Sequence, residues 1–120
     1  MVTPDPSETS PLQVLIGEQL SAITFVQDYL QLDFDGNRIT GYIWPTVRSQ
    51  DATIRFGSPG FRDALCHVIS SVVEDVIESE SLIELRFHSG ISFSFRLADF
   101  PQQEGDRVAF NSQEGEWSFW

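Results

Sequence analysis

The stretch DYLQLDFDGNRITGYIW, residues 28–44, decides the fold of this chain. In its first half, the apolar residues at positions 30, 32 and 34 alternate with polar ones. Successive strand residues face opposite sides of a sheet, so this pattern predicts a strand with one buried face. Asp35 and Gly36 follow, and this pair is a strong hairpin signal because glycine adopts positive φ readily. We therefore predict that residues 38–44 return as the antiparallel partner strand.

The rest of the first half and the second half of the chain extend this pattern. A strand predicted over residues 20–26 completes a three-stranded antiparallel meander, and strands over 72–78, 82–87 and 91–97 form a second one. Shifting the first meander by 53 positions makes six apolar sites coincide, and a one-residue slip then aligns Ile39 with Ile91. Either a true internal duplication or a chance similarity of two hairpins explains this agreement.

The segment between the meanders predicts a loop and then the single α-helix. Residues 45–59 have no clean period and are interpreted as a loop with room for one short strand at 52–56; loops of this length are often functional. Ser58 and Pro59 have the pattern of an N-cap followed by proline in the first helical position. The apolar residues at 61, 64, 65, 68, 69 and 72 then form one helical stripe.

The chain begins and ends with segments outside the meanders. Residues 1–11 are rich in proline, acidic and hydroxyl residues and predict a flexible tail, whereas 12–16 fit a short helical turn or an edge segment. Residues 107–110 and 116–119 predict a C-terminal hairpin, whose Trp117, Phe119 and Trp120 we expect to pack onto the sheet. An exposed cluster of these aromatics would instead mark a partner site.

These elements predict one α+β domain over residues 12–120. It contains two antiparallel three-stranded β-meanders around one α-helix, plus a C-terminal hairpin, and the sheet is free to curl into a partly closed barrel.

Composition restricts the class of protein. The 120 residues include 18 acidic and 7 basic ones, all arginine, for a formal net charge of −11. Such an acidic chain is a poor ligand for nucleic acid or an anionic membrane, and no apolar run approaches the ~20 residues of a membrane span. A single cysteine excludes an internal disulfide, and the N-terminus lacks the pattern of a signal peptide. We expect a cytoplasmic protein without a cofactor.

An acidic run is the most specific surface feature. Its five carboxylates occur within eleven residues: Glu74, Asp75, Glu78, Glu80 and Glu84. On a strand–turn–strand unit they would cluster at one edge of the sheet. That edge is either solvated to discourage aggregation or a docking face steered by charge toward a basic protein. The leading hypothesis is a non-catalytic binding domain for a basic protein partner.

A second hypothesis places a site in the loop and helix start over residues 45–60. Trp44, Arg48, Arg55 and Arg62 would hold an anionic ligand there, in a small-molecule binder or an enzyme. A third possibility is a homodimer joined through open sheet edges or the terminal aromatics, so that the chain is a monomer or a homodimer.

The reactive residues form no complete catalytic or metal-binding set. Cys66 and His67 are neighbours on the predicted helix and face different directions, and His88 lies at a hairpin turn. Asp63 and His67 are spaced as a helix-surface pair, with neither nucleophile nor oxyanion donors beside them. Two histidines without paired cysteines give no zinc spacing. The alternating polar residues at 33, 35 and 37 lack the downstream Glu of a calcium loop. We predict no catalytic residue and no metal site.

Two short segments resemble a known family. DYLQLDFDG (28–36) and GFRDALCHVI (60–69) are similar to segments of a family of small bacterial proteins without assigned activity, which pair a DYVQLxFDG hairpin with a YRDALC helix start. The resemblance covers residues 15–97. Phe61 stands where the family pattern has Tyr, and Leu30 where it has Val.

This resemblance implies shared structural roles and no catalytic residue. The helix motif contains Arg62, Asp63 and Cys66; Asp63 would stabilise the helix N-terminus and Cys66 would pack. In size and acidity the chain is also similar to the immunity proteins of bacterial toxin systems.

Overall fold

The computed structural model describes residues 10–100 and 105–120. One α-helix, α1, spans Phe61–Cys66, and 3₁₀ helices span Pro11–Leu15 and Leu97–Asp99. The ten strands of this part of the chain are β1 (Ala22–Val26), β2 (Tyr29–Phe34), β3 (Asn37–Gly41), β4 (Thr46–Arg48), β5 (Thr53–Ile54), β6 (Val73–Glu78), β7 (Leu82–Phe87), β8 (Ser92–Arg96), β9 (Val108–Asn111) and β10 (Trp117–Phe119).

The predicted α+β fold is confirmed, with strands in two antiparallel sheets. The first sheet has the order β1-β2-β3-β9-β10, and the second has the order β5-β4-β8-β7-β6. Both predicted meanders and the C-terminal hairpin are present. The described strands form two separate sheets and not a closed barrel.

The two halves of the chain exchange hairpins: in each half, the meander and the hairpin that follows it belong to different sheets. The first meander, β1-β2-β3, is followed by the hairpin β4-β5, which joins the second sheet because β4 pairs with β8. The second meander, β6-β7-β8, is followed by the hairpin β9-β10, which joins the first sheet because β9 pairs with β3. Each sheet therefore combines a meander from one half with a hairpin from the other, and neither half forms its sheet alone.

The strand registers show which residues of the two meanders are equivalent. Leu32 pairs with Ile23 and Ile39, and Leu85 occupies the matching position between Val76 and Phe93. The shift of 53 positions is thus correct for the first two strands of each meander. The predicted match of Ile39 with Ile91 is wrong, because the longer second hairpin loop makes Phe93 the equivalent residue.

The first hairpin turn has the predicted geometry. Asp35 has φ of 53° and Gly36 has φ of 105°. Two successive positive φ values give the strand-compatible turn that favours Asp-Gly. Asp33 lies beside the turn and pairs with Arg38 at 2.6 Å, and Asn37 accepts a hydrogen bond from the backbone N–H of Gln113. Asp33, Asn37 and Arg38 thus have structural partners within the fold.

One apolar cluster contains the inner faces of both sheets. Its largest fully buried side chains are Phe34, Phe87, Phe93, Phe95 and Phe110. The 3₁₀ helix Pro11–Leu15 and α1 add further buried apolar residues to this cluster. The alternation seen in the sequence therefore places one face of each sheet in a common core.

The helix is shorter than predicted and begins later. Gly60, with φ of 81°, is its N-cap, and no side chain caps it, so the predicted Ser58 cap is wrong. After Cys66 the backbone turns, and the Ser70 N–H binds the carbonyl of Leu20 instead of continuing the helix. Turn hydrogen bonds from Val68 N–H to Leu65 and from Ile69 N–H to Cys66, and then the bond from Ser70 to Leu20, thus replace the α-helical ones. Three residues of the predicted stripe, Phe61, Leu65 and Val68, are still buried.

Three further predictions differ from the structure. Residues 45–59 contain β4 as well as β5, so this segment is a hairpin of the second sheet and not mainly a loop. Trp117 and Phe119 are more than half exposed and do not pack onto the core, whereas Trp120 does. Of the predicted tail, residues 1–9 lie outside the described residues, and Ser10 caps the 3₁₀ helix that begins at Pro11.

Gly41 lies where β3 crosses the core, and replacing it by alanine is expected to destabilise the fold. An added Cβ would lie 2.6 Å from the Phe95 ring and 2.9 Å from a methyl of Leu30. Overpacking of this kind costs about 1–3 kcal/mol. Urea denaturation of Gly41→Ala should show this loss. A variant as stable as the native chain would contradict the tight packing of β3 against β8.

Candidate functional site

The acidic run does not form one face. Glu84 is buried on β7, where it accepts hydrogen bonds from Arg86 Nε at 2.8 Å and from Ser94 Oγ at 3.0 Å. Glu78, at the end of β6, accepts a hydrogen bond from Ser10 Oγ at 3.0 Å and is half-buried. These two carboxylates have structural roles inside the fold, because buried charge requires such partners.

The other three acidic residues of the run are exposed. Glu74 lies 3.8 Å from His88, Asp75 accepts a hydrogen bond from the backbone N–H of Val76, and Glu80 lies in the turn between β6 and β7. The register of β6 against β7 shifts between Val73 and Asp75, so the residues beyond the shift face the side opposite to the one that simple alternation predicts. The predicted clustering of all five carboxylates at one edge is therefore wrong.

The outer face of the second sheet collects arginines instead. Pairing of Ser92 with both Arg48 and Arg86 places these side chains in one row across β4, β8 and β7. Arg96 lies two residues beyond Ser94 on the same face of β8, and Arg55 follows the edge strand β5. Four of the chain's seven arginines are thus on or beside this face.

Three of these arginines line a groove of about 570 Å³. Arg48, Arg55 and Arg96 form its basic part. The hydroxyl side chains in its lining are Thr46, Thr53, Ser81 and Ser94. A convergence of guanidinium groups and hydroxyls is typical of sites for carboxylates and phosphates.

A neighbouring cavity of about 300 Å³ extends this groove toward aromatic side chains. The two cavities share Arg55 and Arg96 in their linings. The Trp44 and Phe56 rings of the second cavity stack at 4.6 Å between centroids, and Phe56 and Phe100 are exposed. We call the two cavities together the arginine groove; its basic part is continuous with an aromatic end.

The charges of the arginine groove are only partly balanced. Arg96 pairs with Asp99 at 2.9 Å, and the nearby Arg86 pairs with Glu84. Within residues 10–100 and 105–120, no salt bridge or side-chain hydrogen bond engages the guanidinium groups of Arg48 and Arg55, which are exposed. These two groups are therefore available to an external anion.

The predicted ligand site is partly brought together. Trp44, Arg48 and Arg55 all line the arginine groove. Arg62 does not: its guanidinium carbon lies 5.6 Å from the Phe25 ring centroid, and the residue borders a different cavity of about 390 Å³ at the helix start. The cation–π contact gives Arg62 a structural partner.

Sequence reasoning missed Arg96 as a groove residue. The signal was present, because Ser92, Ser94 and Arg96 alternate with buried residues and so share the outer face of β8. The position of β4 beside β8 had no comparable signal, and without it this face has no groove.

The reactive residues are scattered. Cys66 is exposed, so the packing role implied for it is wrong. Asp63 lies in the first turn of α1 as expected, and both it and His67 are exposed. His88 contacts Glu74. In the part of the chain that the structure describes, no group of three or more His, Cys, Asp or Glu side chains is placed to hold a metal ion.

Comparisons with protein-family models, with curated proteins and with solved structures find no match to this chain. The resemblance to small bacterial proteins therefore stays a prediction. None of the helices formed by the described residues has the length and apolar composition that crossing a membrane requires.

Proposed function

We propose that this chain is a non-catalytic binding domain whose arginine groove holds a small ligand with a carboxylate or phosphate beside an apolar group. The anionic end would lie between Arg48 and Arg55, and the apolar end would contact the stacked rings of Trp44 and Phe56. Hydroxyls such as that of Thr46 would supply further hydrogen bonds.

The observation that carries this proposal is the pair of exposed arginines without ion-pair partners among the described residues. The net charge of −11 means that acidic side chains outnumber arginines by 18 to 7, and yet Arg48 and Arg55 engage none of the described ones. A guanidinium group binds carboxylates and phosphates with two parallel hydrogen bonds. Exposed guanidinium groups that lie beside a groove and have no ion-pair partner among the described residues favour an anion supplied from outside.

Isothermal titration calorimetry of the full chain at low salt tests the ligand class. We expect phenyl phosphate and benzoate to bind, and inorganic phosphate to bind more weakly because it leaves the aromatic end unused. If none of the three probes binds, the proposal is wrong. If inorganic phosphate binds as tightly as phenyl phosphate, the aromatic end has no role in recognition.

A second candidate function is docking of a basic protein, in the manner of an immunity protein. It is favoured by charge segregation: four of the seven arginines lie on or beside one sheet face, so the remaining surface is more acidic than the net charge alone indicates. Glu74 and Glu80 are exposed and add to this surface, whereas the exposed Asp75 pairs with Arg86 and so lies on the arginine face. Both candidates are consistent with a cytoplasmic location, which we propose from the single cysteine.

Affinity capture from a native cell extract at low and high salt tests this second candidate. A basic partner should be retained at low salt and lost at high salt, because exposed charges are screened. The variant with Glu74→Gln and Glu80→Gln should retain less of it. If retention is unaffected by salt and by these substitutions, the docking is not driven by charge.

A further inference from the structure

The C-terminal strand β10 is an open edge of the first sheet. It pairs on one side with β9, and the described residues supply no strand on its other side. Strand edges of this kind are usually protected by charge, proline or a covering element, because unpaired backbone groups recruit other strands.

The register of β10 shows which backbone groups lie at this edge. Trp120 and Val108 exchange both of their backbone hydrogen bonds. In an antiparallel ladder such pairs alternate, so Ser118 also bonds to β9 through its N–H and C=O. The N–H and C=O groups of Trp117 and Phe119 therefore point to the open edge.

The side chains of the same two residues are apolar and exposed. Trp117 is 56% exposed and Phe119 is 55% exposed, and their rings stack at 5.8 Å between centroids with 4° between the planes. Both lie on the outer face of the sheet, whereas Ser118 lies on the inner face beside the buried Phe110. Residues 117–120 carry no charged side chain, although the chain as a whole has a net charge of −11.

The other three sheet edges differ from this one. The edge strand β6 contacts the first 3₁₀ helix, and the Gln13 side chain donates to the Val76 carbonyl. The edge strand β5 has only two residues. The edge strand β1 has small or aliphatic outer residues such as Thr24 and no aromatic pair on its outer face.

We propose that β10 pairs with β10 of a second copy of this chain, antiparallel and centred on Ser118. Trp117 would then exchange two backbone hydrogen bonds with the partner's Phe119, and Phe119 two with the partner's Trp117. Each aromatic side chain would also lie opposite an aromatic side chain of the other copy. The edge is self-complementary, as a two-fold interface requires, and its lack of charge avoids repulsion between two acidic chains.

Sedimentation equilibrium over a range of concentrations tests this proposal. The apparent mass should rise from 13.6 kDa toward twice that value. Trp117→Lys and Phe119→Lys should each weaken association by at least about tenfold, since a lysine blocks an edge strand. Thr24→Lys, on the outer face of the other open edge β1, is the matched control and should have no effect. Circular dichroism establishes that each variant is folded.

A cross-link tests the register. In a Cys66→Ser background, Ser118→Cys should form a disulfide-linked dimer, because Ser118 would lie directly opposite its copy at a distance that a disulfide can bridge. Glu116→Cys should not. A chain that is monomeric at every concentration would overturn the proposal. So would a dimer that Thr24→Lys abolishes and that Trp117→Lys and Phe119→Lys leave intact. A β10-dependent dimer in which Ser118→Cys does not cross-link would overturn the register.

Discussion

Replacing Phe93 by alanine is expected to lower the free energy of unfolding by about 3–5 kcal/mol. Phe93 is fully buried and packs against the Phe87 ring at 5.0 Å between centroids. It lies on β8 between Val47 of the exchanged hairpin and Leu85 of its own meander. The cavity would thus lie at the point where the two halves of the chain meet.

Urea denaturation of Phe93→Ala and of Phe119→Ala measures this effect with a matched control. Phe119 is exposed, and its truncation should change the stability of the monomer by less than about 0.5 kcal/mol. Both variants are to be measured at a protein concentration at which the chain is monomeric. If Phe93→Ala lowers the free energy of unfolding by less than about 1 kcal/mol, β8 is not part of a tightly packed core.

Replacing Arg48 and Arg55 together by glutamine is expected to weaken phenyl phosphate binding by about 100-fold or more. A hydrogen bond to a charged group contributes about 1.5–3 kcal/mol, and each 1.4 kcal/mol is tenfold in affinity. Because these two side chains are exposed and have no ion-pair partner among the described residues, their loss should leave the fold intact.

The control for this effect is Arg38→Gln. Arg38 is also half-exposed, but it lies on the first sheet and pairs with Asp33. Replacing it removes one positive charge, as each groove substitution does, and leaves the arginine groove unchanged. Calorimetry should give unchanged affinity for Arg38→Gln. An equal loss in the control and in the groove variants would mean that binding reflects general charge and not this site.

The strands and their inner faces were predictable because each is a local pattern. Leu30, Leu32 and Phe34 alternate with polar residues, and the Asp-Gly pair has the positive φ values that its turn requires. The end of the helix was not predictable from its stripe. The stripe continues to Val72, but hydrogen bonds from a distant segment around Leu20 compete with the helix after Cys66.

The hairpin exchange was not predictable, since a pairing such as β4 with β8 joins residues more than forty positions apart. Three residues, Thr46–Arg48, carry too little periodicity to indicate a strand or its partner. The candidate site depends on this pairing. Three of its four predicted residues, Trp44, Arg48 and Arg55, still line one groove, because they lie in or next to the exchanged hairpin.

The acidic run shows why a cluster in sequence need not be a cluster in space. Alternation along β6 and β7 sends Glu78 and Glu84 to opposite faces, and each meets a partner from elsewhere, Ser10 in one case and Ser94 with Arg86 in the other. Charge counts alone carry no information on these long-range contacts.

The most direct test of the proposed binding site is a titration of the isotope-labelled chain with phenyl phosphate, followed by amide chemical shifts. We expect saturable shifts at Thr46, Arg48, Arg55 and Arg96 and at the aromatic end around Phe56, with the first sheet unchanged. Shifts spread evenly over both sheets, or none at all, would contradict an anion-binding groove on the second sheet.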